Sequence, residues 1–420
     1  MAEEGLEIPK FVVDLSLPPR QRYDHIVPHF QPKIDSCNLH ELFDELLVEL
    51  AGEKLGNWLK NISPALLRRV RGPEETEELV GISKASGISK HILVAFNVLL
   101  DLLLGCTSGG VRVAEEKSSP RTRSSSKSPS RQSRMIHFRT LDWGMDRLRN
   151  IVVELDFVRH RDGPVIATSL TYLGYVGVLT GVRKGLSMSL NFRPHHASST
   201  WWDQAAFRYN QAMVVLGFRH SISSLLRQTL LGPPTQQQHK PPEKKEKRSK
   251  STSPTGESHE FSEADVRSLL SKLTTSPSTS AYLIFCTPQK VYVVDKDNRR
   301  GPVRDSDTFL TAYNHDVADE KDPSQLKDAV AEIAQGPTIM GMDDIVACSL
   351  DRKCHLDELW RKSVDAFEKK NGESARAISM ADVREFVRDP EIRNEETHYA
   401  IIMDPTDGKV LWRRVFEEGT

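Results

Sequence analysis

A cysteine at position 106 follows a glycine and precedes two hydroxyl residues, in Leu102-Leu103-Leu104-Gly105-Cys106-Thr107-Ser108. A cysteine attacks only as its thiolate. One way to activate it is to make it the first residue of a mature chain. Its own α-amine, with a reference pKa near ~8, then serves as the base beside the thiol. This requires a preceding residue that can be cut away, and Gly105 offers little steric obstruction. The Gly105–Cys106 bond is therefore read as a self-cleavage point and Cys106 as a nucleophile. On composition alone, the string also describes a buried structural cysteine. Arg139 and Asp142 stand downstream. On a bent strand end, residues three apart can line one pocket. Arg139 would stabilise a thiolate or hold a polar substrate group, and Asp142 would accept a hydrogen bond from the α-amine. The alternative for these two is an exposed ion pair.

The elements that must carry these residues follow from hydrophobic patterning. A strand is expected at 11–15 and ends before Pro18-Pro19. Asn38 with Glu41 resembles a capping box, opening a helix whose Leu39, Leu42, Phe43, Leu46, Leu47 and Leu50 share one face. That face is either core or a greasy surface that touches lipid. A second helix starts at Pro73, with acidic residues in its first turn, and stops at Gly87. A third, apolar on most faces, runs from Ser89 to Leu104 and delivers the chain into Gly105-Cys106. Strands are expected at 106–113, 135–139, 151–157, 164–171, 176–180 and 186–192, then helical patterning at 201–231. Further on come a helix at 263–273 and strands at 281–286, 290–295 and 308–313. Helices at 325–333, 356–369 and 380–387 follow, and then strands at 398–404 and 409–415 around an Asp407-Gly408 turn. Two stretches, 115–134 (rich in Ser, Arg and Lys) and 232–260 (Pro, Gln and Lys-rich), are too polar to offset their ordering entropy. They are expected as a disordered insertion and a disordered linker. The first could alternatively bind RNA or be phosphorylated, and the second could pass for a nuclear-import patch. Helices, strands, then helices interleaved with strands give a layered α+β architecture.

Composition narrows the function. The 420 residues carry a formal net charge of −1, which argues against whole-surface attraction to nucleic acid or anionic lipid. The five cysteines are odd in number and scattered, so a reducing compartment is expected in place of a disulfide framework. Cys348, Cys354 and His355 make zinc conceivable, but no C-x-x-C pair supports it. No basic start followed by an apolar run opens the chain, and the apolar stretch at 92–104 is too short to span a bilayer. A soluble cytoplasmic protein is expected, or a lysosomal or vacuolar one should the true start lie elsewhere.

Several ordered strings resemble the acid ceramidase and N-acylethanolamine acid amidase family of N-terminal-nucleophile cysteine hydrolases, relatives of the choloylglycine hydrolases. Asp14-Leu15-Ser16-Leu17-Pro18-Pro19 resembles the family's opening strand. Phe96-Asn97, leading to Cys106-Thr107-Ser108, is similar to its helix and cleavage site. Arg139-Thr140-Leu141-Asp142 resembles its Arg-Asn-x-Asp, with Thr140 in place of Asn. Gly174-Tyr175-Val176-Gly177 with Leu179-Thr180-Gly181 is similar to its Gly-Tyr-Val-Gly-x-Leu-Thr-Gly segment. Tyr313-Asn314-His315-Asp316 resembles its Thr-Asn-Tyr-Asp, and Asp351-Arg352 an Asp-Arg context. The resemblance implies an α-β-β-α sandwich with two disordered insertions. It divides the chain into an N-terminal, α-subunit-like segment (1–105) and a catalytic, β-subunit-like segment (106–420). It implies Cys106 as nucleophile, Arg139 and Asp142 beside it, Asn314 holding the oxyanion, and Arg352 as a further site residue. The implied activity is hydrolysis of fatty-acyl amides, ceramide first and N-acylethanolamine second, with no cofactor and no metal. A peripheral membrane contact and a heterodimer of the chain's own cleavage fragments also follow, and no specific nucleic acid. The rivals are a bile-salt or penicillin-type acylase, and a non-enzymatic protein that binds RNA or protein through its two polar stretches with an inert Cys106.

Overall fold

The computed structural model describes residues 6–99, 105–114, 133–194, 196, 200–232, 261–321, 347–372 and 376–417. The chain begins with β1 (Lys10–Asp14) and four helices, α1 (Val27–Cys37), α2 (Leu39–Leu66), α3 (Pro73–Ser86) and α4 (Lys90–Leu99). Six strands follow: β2 (Gly105–Ala114), β3 (Ser133–Asp142), β4 (Val152–Val158), β5 (Val165–Tyr172), β6 (Thr180–Arg183) and β7 (Leu186–Phe192). Helices α5 (Trp201–Val215), α6 (Ile222–Leu231) and α7 (Glu263–Thr275) lead to β8 (Ala281–Cys286), β9 (Val291–Lys296), β10 (Val303–Ser306) and β11 (Phe309–Ala312). The chain continues through α8 (Ser349–Asn371) and α9 (Met380–Phe386) to β12 (Thr397–Asp404) and β13 (Lys409–Val415).

Among the described residues the strands form two sheets. One has eight strands in the order β1-β4-β5-β6-β7-β8-β9-β10, and the other has five in the order β11-β2-β3-β12-β13. The period-2 alternation of side chains decides what each face meets. On β2 and β3, Val111, Val113, Ile136 and Phe138 turn outward against Leu356 and Val364 of α8 and Val383 and Phe386 of α9. Cys106 and Ser108 turn inward to the eight-stranded sheet. Met135, Tyr282, Ile284, Cys286 and Val291 fill part of the space between the sheets. On the far side α6 packs on β5, β6 and β7 and α7 on β9, and residues of α1 to α4 join the same apolar cluster. The result is the four-layer helix–sheet–sheet–helix α+β sandwich. Each fully buried Val, Leu, Ile or Phe side chain contributes about 1.5–3 kcal/mol to holding these layers together.

One glycine beside the site is dictated by this stacking. A Cβ on Gly110 would lie 2.6 Å from Val291 Cβ and 2.7 Å from Cys286 Sγ, so the two sheets approach this closely only because β2 has no side chain there.

Several sequence expectations need correction. Asn38 takes a left-handed conformation (φ 45°) and makes no side-chain cap; its amide donates to the Glu41 carboxylate at 3.0 Å. The core alternative for the apolar face of α2 holds, and the lipid-touching one does not: Leu39, Leu42, Phe43 and Leu46 are buried. No strand forms at 176–179, because the chain turns at Leu173–Gly174 and runs irregularly from Tyr175 until β6 starts at Thr180. Its amides and carbonyls are used sideways, as in Asn97 Oδ1 accepting from Val176 N at 2.8 Å. The helical run at 201–231 is broken at Gly217, whose φ of 71° a helix cannot accommodate. β10 is missed, since its short, polar sequence Val-Arg-Asp-Ser has no apolar alternation. Ser133 and Arg134, expected within the polar insertion, belong to β3, and Gly232 is the C-cap of α6. The remainder of both polar stretches, the end of the helix before Gly105 and the helix at 325–333 lie outside the described residues.

Candidate active site

Cys106 stands at the start of β2, an interior strand paired with β11 on one side and β3 on the other. The antiparallel register sets Cys106 opposite Leu141 and Ser108 opposite Arg139. Arg139 is thus the diagonal neighbour of Cys106 on the inward face, a separation that long side chains bridge. Its Nη2 donates to Cys106 Sγ at 2.9 Å and to the Leu190 carbonyl at 2.6 Å. Its Nη1 donates to the Leu179 carbonyl and Thr180 Oγ1, and Thr180 Oγ1 also meets Tyr399 OH at 2.9 Å. These acceptors come from the turn before β6, from β6 and from β7, so the guanidinium pins the two sheets together at the sulfur.

Both partners are wholly buried, at 0% exposure for Cys106 and for Arg139. The acceptors around the guanidinium are carbonyls, a hydroxyl and the sulfur, none of them a carboxylate. An exposed ion pair with Asp142 is therefore ruled out. Burial pushes the Cys106 thiol above its ordinary range, and the Arg139 charge opposes that push. Burial likewise works against the Arg139 charge, but the sulfur, with Tyr399 and Tyr172, outweighs it, and the guanidinium pKa is raised.

Asp142 lies three residues along β3, hence on the other face. Its Oδ2 accepts from Arg352 Nη1 and its Oδ1 from Thr397 Oγ1, each at 2.7 Å. Burial raises the Asp142 carboxyl, with Arg352 and Thr397 pulling it back. Arg352, on the first turn of α8, reaches past it to donate to Asn314 Oδ1 at 3.3 Å. That same oxygen accepts from Cys106 N at 2.9 Å. Asn314 Nδ2 donates to the Phe192 carbonyl at 2.9 Å, and its own amide donates to Ser349 Oγ at 2.9 Å. The structure thus gathers all five sequence-predicted residues around the Gly105–Cys106 bond. It links Asp142 to the Cys106 nitrogen through Arg352 and Asn314, not directly.

Two neighbours were not singled out from the sequence. Asn191 of β7 donates through Nδ2 to the Cys106 carbonyl at 3.3 Å and the Ala312 carbonyl at 3.0 Å, and its Oδ1 accepts from Ser108 Oγ at 2.8 Å. The signal available was a polar set at period 2, Ser187, Ser189 and Asn191 on one face of a buried strand, where an unpaired amide would be costly. His137, two residues before Arg139, is fully buried with its ring nitrogens at 3.0 Å from Ser187 Oγ and 2.9 Å from Ser189 Oγ. Burial, reinforced by Arg139, lowers its pKa to about 3, so it is a neutral spacer between the sheets.

Among the described residues no group of three or more His, Cys, Asp or Glu could hold a metal ion. His355 faces Asp389 at 3.0 Å and Glu391 at 3.1 Å, while Cys348 and Cys354 are exposed. Cavities of about 740, 210 and 750 Å³ are lined by other residues than those of the site.

Residues 7–70 match the family model for the beta subunit of N-acylethanolamine-hydrolyzing acid amidase, ahead of Cys106 in the chain. Over 208 residues the chain is 28% identical to the acid ceramidase of Pan troglodytes, covering 44% of this chain and 46% of the relative. It is 27% identical to that of Homo sapiens over the same shares. The chain is thus similar to the acid ceramidases and, over residues 7–70, to the beta subunit of N-acylethanolamine-hydrolyzing acid amidase. It spans under half the length of the acid ceramidases it matches. Among solved structures, an N-acylethanolamine-hydrolyzing acid amidase ortholog from Caenorhabditis elegans gives a TM-score of 0.44 at 18% identity, over 74% of this chain and 100% of that one. No described helix is long and apolar enough to cross a membrane.

Proposed function

We propose that the chain is an amidohydrolase that cuts itself before Cys106 and then uses Cys106 to cleave a fatty-acyl amide, ceramide or an N-acylethanolamine. One observation carries the reading: a fully buried guanidinium with only neutral acceptors touches the sulfur at 2.9 Å. A thiolate is the anion that arrangement lacks, and in a site shut off from water the pair interacts far more strongly than at a surface.

A sulfur with no exposure can attack only a carbonyl already beside it. In the uncut chain that carbonyl is the one of Gly105, directly bonded to the Cys106 nitrogen. Attack by Sγ forms a thioester with Gly105, the thiol proton passes to the departing Cys106 nitrogen, and the C–N bond breaks. Water then hydrolyses the thioester, leaving a Gly105 carboxylate and a free Cys106 amine. In turnover that amine takes the thiol proton and the thiolate attacks the amide carbonyl of the lipid. The developing oxyanion is met by Asn314 Nδ2, the amide that also donates to the Phe192 carbonyl at 2.9 Å. The ammonium returns its proton to the leaving nitrogen, and water releases the fatty acid from the sulfur. Asp142 and Arg352 act through Asn314, fixing its amide relative to the amine.

The two fragments, 1–105 and 106–420, would remain together as a heterodimer. A peripheral contact with lipid is supported by the exposed, stacked Trp201 and Trp202, 3.6 Å between ring centroids, at the start of α5. Five free thiols support a reducing, cytoplasmic setting. The test is denaturing electrophoresis with N-terminal sequencing of the purified chain beside Cys106→Ala, followed by hydrolysis of ceramide and N-acylethanolamine. Two fragments, the second starting at Cys106, are expected from the unaltered chain alone; an uncut yet active chain refutes the reading.

A further inference from the structure

The two asparagines that grip Cys106 come from different sheets. Asn191 is on β7 of the eight-stranded sheet and Asn314 follows β11 of the five-stranded one. No backbone ladder sets their spacing, so side chains have to. Two residues beyond each asparagine stand Arg193 and Asp316. Arg193 Nε donates to Asp316 Oδ1 at 2.7 Å and Nη2 to Oδ2 at 2.5 Å, a two-pronged pair. Tyr282 OH, from β8, donates to the same Asp316 Oδ1 at 2.6 Å, and the Asp316 amide donates to Asp319 Oδ2 at 2.7 Å. Arg193 lies over the Tyr282 ring at 5.8 Å and also donates to the Lys296 carbonyl at 3.4 Å. It is 8% exposed. The Asn314 amide already reaches the Phe192 carbonyl between Asn191 and Arg193. Segments 191–193 and 314–316 are therefore joined side by side at two points, with Cys106 at one end and the ion pair at the other.

We propose that Arg193 and Asp316 are positioning residues for this site. Their fork fixes the distance between Asn191 and Asn314, and so the placement of the Cys106 nitrogen and carbonyl between them, without touching substrate. The fork geometry suits the task because its two parallel bonds fix orientation as well as distance. A displacement of about 1 Å at a reacting centre costs on the order of 100-fold in rate. The inference rests on the self-cleaving reading above for its consequence in catalysis, but its geometric part can be measured without any cleavage.

The experiment uses the full chain with Asp316→Asn, which keeps the shape and removes the charge, and Arg193→Lys, which keeps the charge and removes the fork. Thermal unfolding first establishes the folded fraction of each. Two readouts follow: the rate of cutting at Gly105–Cys106, and, in a Cys106→Ala background that stays uncut, hydrogen–deuterium exchange of the 105–108 amides, since the nitrogen at position 106 is held by Asn314. The expected result is cutting slowed about 10-fold or more and 105–108 exchange accelerated by a similar factor, in both variants, in molecules that remain folded. A lowered melting temperature with cutting and exchange unchanged in the folded fraction assigns the pair to bulk stability and overturns the proposal. If the unaltered chain is never cut, the self-cleaving reading fails, and the exchange measurement alone decides the clamp.

Discussion

Replacing Arg139 by Gln removes the cation that, among the described residues, touches the Cys106 sulfur, while leaving a side chain able to reach part of the same acceptor set. At about 4 Å and an effective dielectric of ~20, two unit charges interact by roughly 4 kcal/mol. The Nη2–Sγ contact of 2.9 Å sets the charge centres at about that separation. At 1.36 kcal/mol per pKa unit, losing it lifts the thiol by about 3 units. The thiol starts from a value already raised by burial, against which Arg139 is the main restraint. The thiolate fraction near neutral pH should therefore fall about 1,000-fold. The assay is the pH dependence of turnover, paired with the rate of Cys106 alkylation by iodoacetamide in the cut protein. In Arg139→Gln both profiles should shift to higher pH by about 3 units, and the plateau at high pH should be largely recovered. Arg139→Lys should fall between, because it keeps the charge but cannot serve four acceptors in the fixed fork. Profiles of Arg139→Gln that overlie the parent within half a pH unit would refute the thiolate–guanidinium argument, however large the loss of activity.

Asp142→Asn leaves Arg352 a buried guanidinium without its carboxylate, which should cost about 3–5 kcal/mol; chemical denaturation checks it, and Asp142→Asn with Arg352→Met should cost less than the single change. Gly110→Ala drives a methyl into Val291 and Cys286 and should destabilise by about 1–3 kcal/mol, read as a shifted denaturation midpoint. His137 has a folded pKa of about 3 against roughly 6.5 in the unfolded chain. Between those values the unfolded state binds the extra proton, so stability falls as pH drops below 6.5, by up to about 1.4 kcal/mol per unit. His137→Gln should flatten that acid limb, and an unchanged limb argues against a neutral, buried imidazole.

What could be read from the sequence was whatever depends on local pattern. Period-2 alternation marked most of the strands, and Gly87 and Gly408 marked a helix end and a hairpin turn because a positive φ has a one-residue signature. The motif strings brought Cys106, Arg139, Asp142, Asn314 and Arg352 forward before any geometry. What the sequence could not show was how they connect. That Asp142 serves Arg352 and Thr397 depends on which face of β3 it occupies and on which helix covers that face. Asn191 and Arg193 gave no sign of their role because their partners are more than 80 residues away on other sheets. The strand expected at 176–179 failed for a related reason: residues with strand composition were committed to side-chain partners such as Asn97 and Arg227, which pattern alone does not reveal.

β2 is laddered on both flanks, ten residues against β3 and four against β11. A break at its first peptide bond leaves those ladders whole. Upstream, β1 remains paired with β4 over five residues, and helices α1 to α4 stay within the shared apolar cluster. A nicked molecule of this design would keep its shape with no covalent thread across the nick, and dilution alone would not part it. Each half made on its own would instead expose the apolar surface the other covers. Producing the protein from two genes should then yield aggregates unless both are folded together, and a cut of the kind proposed would come late, in an already finished molecule.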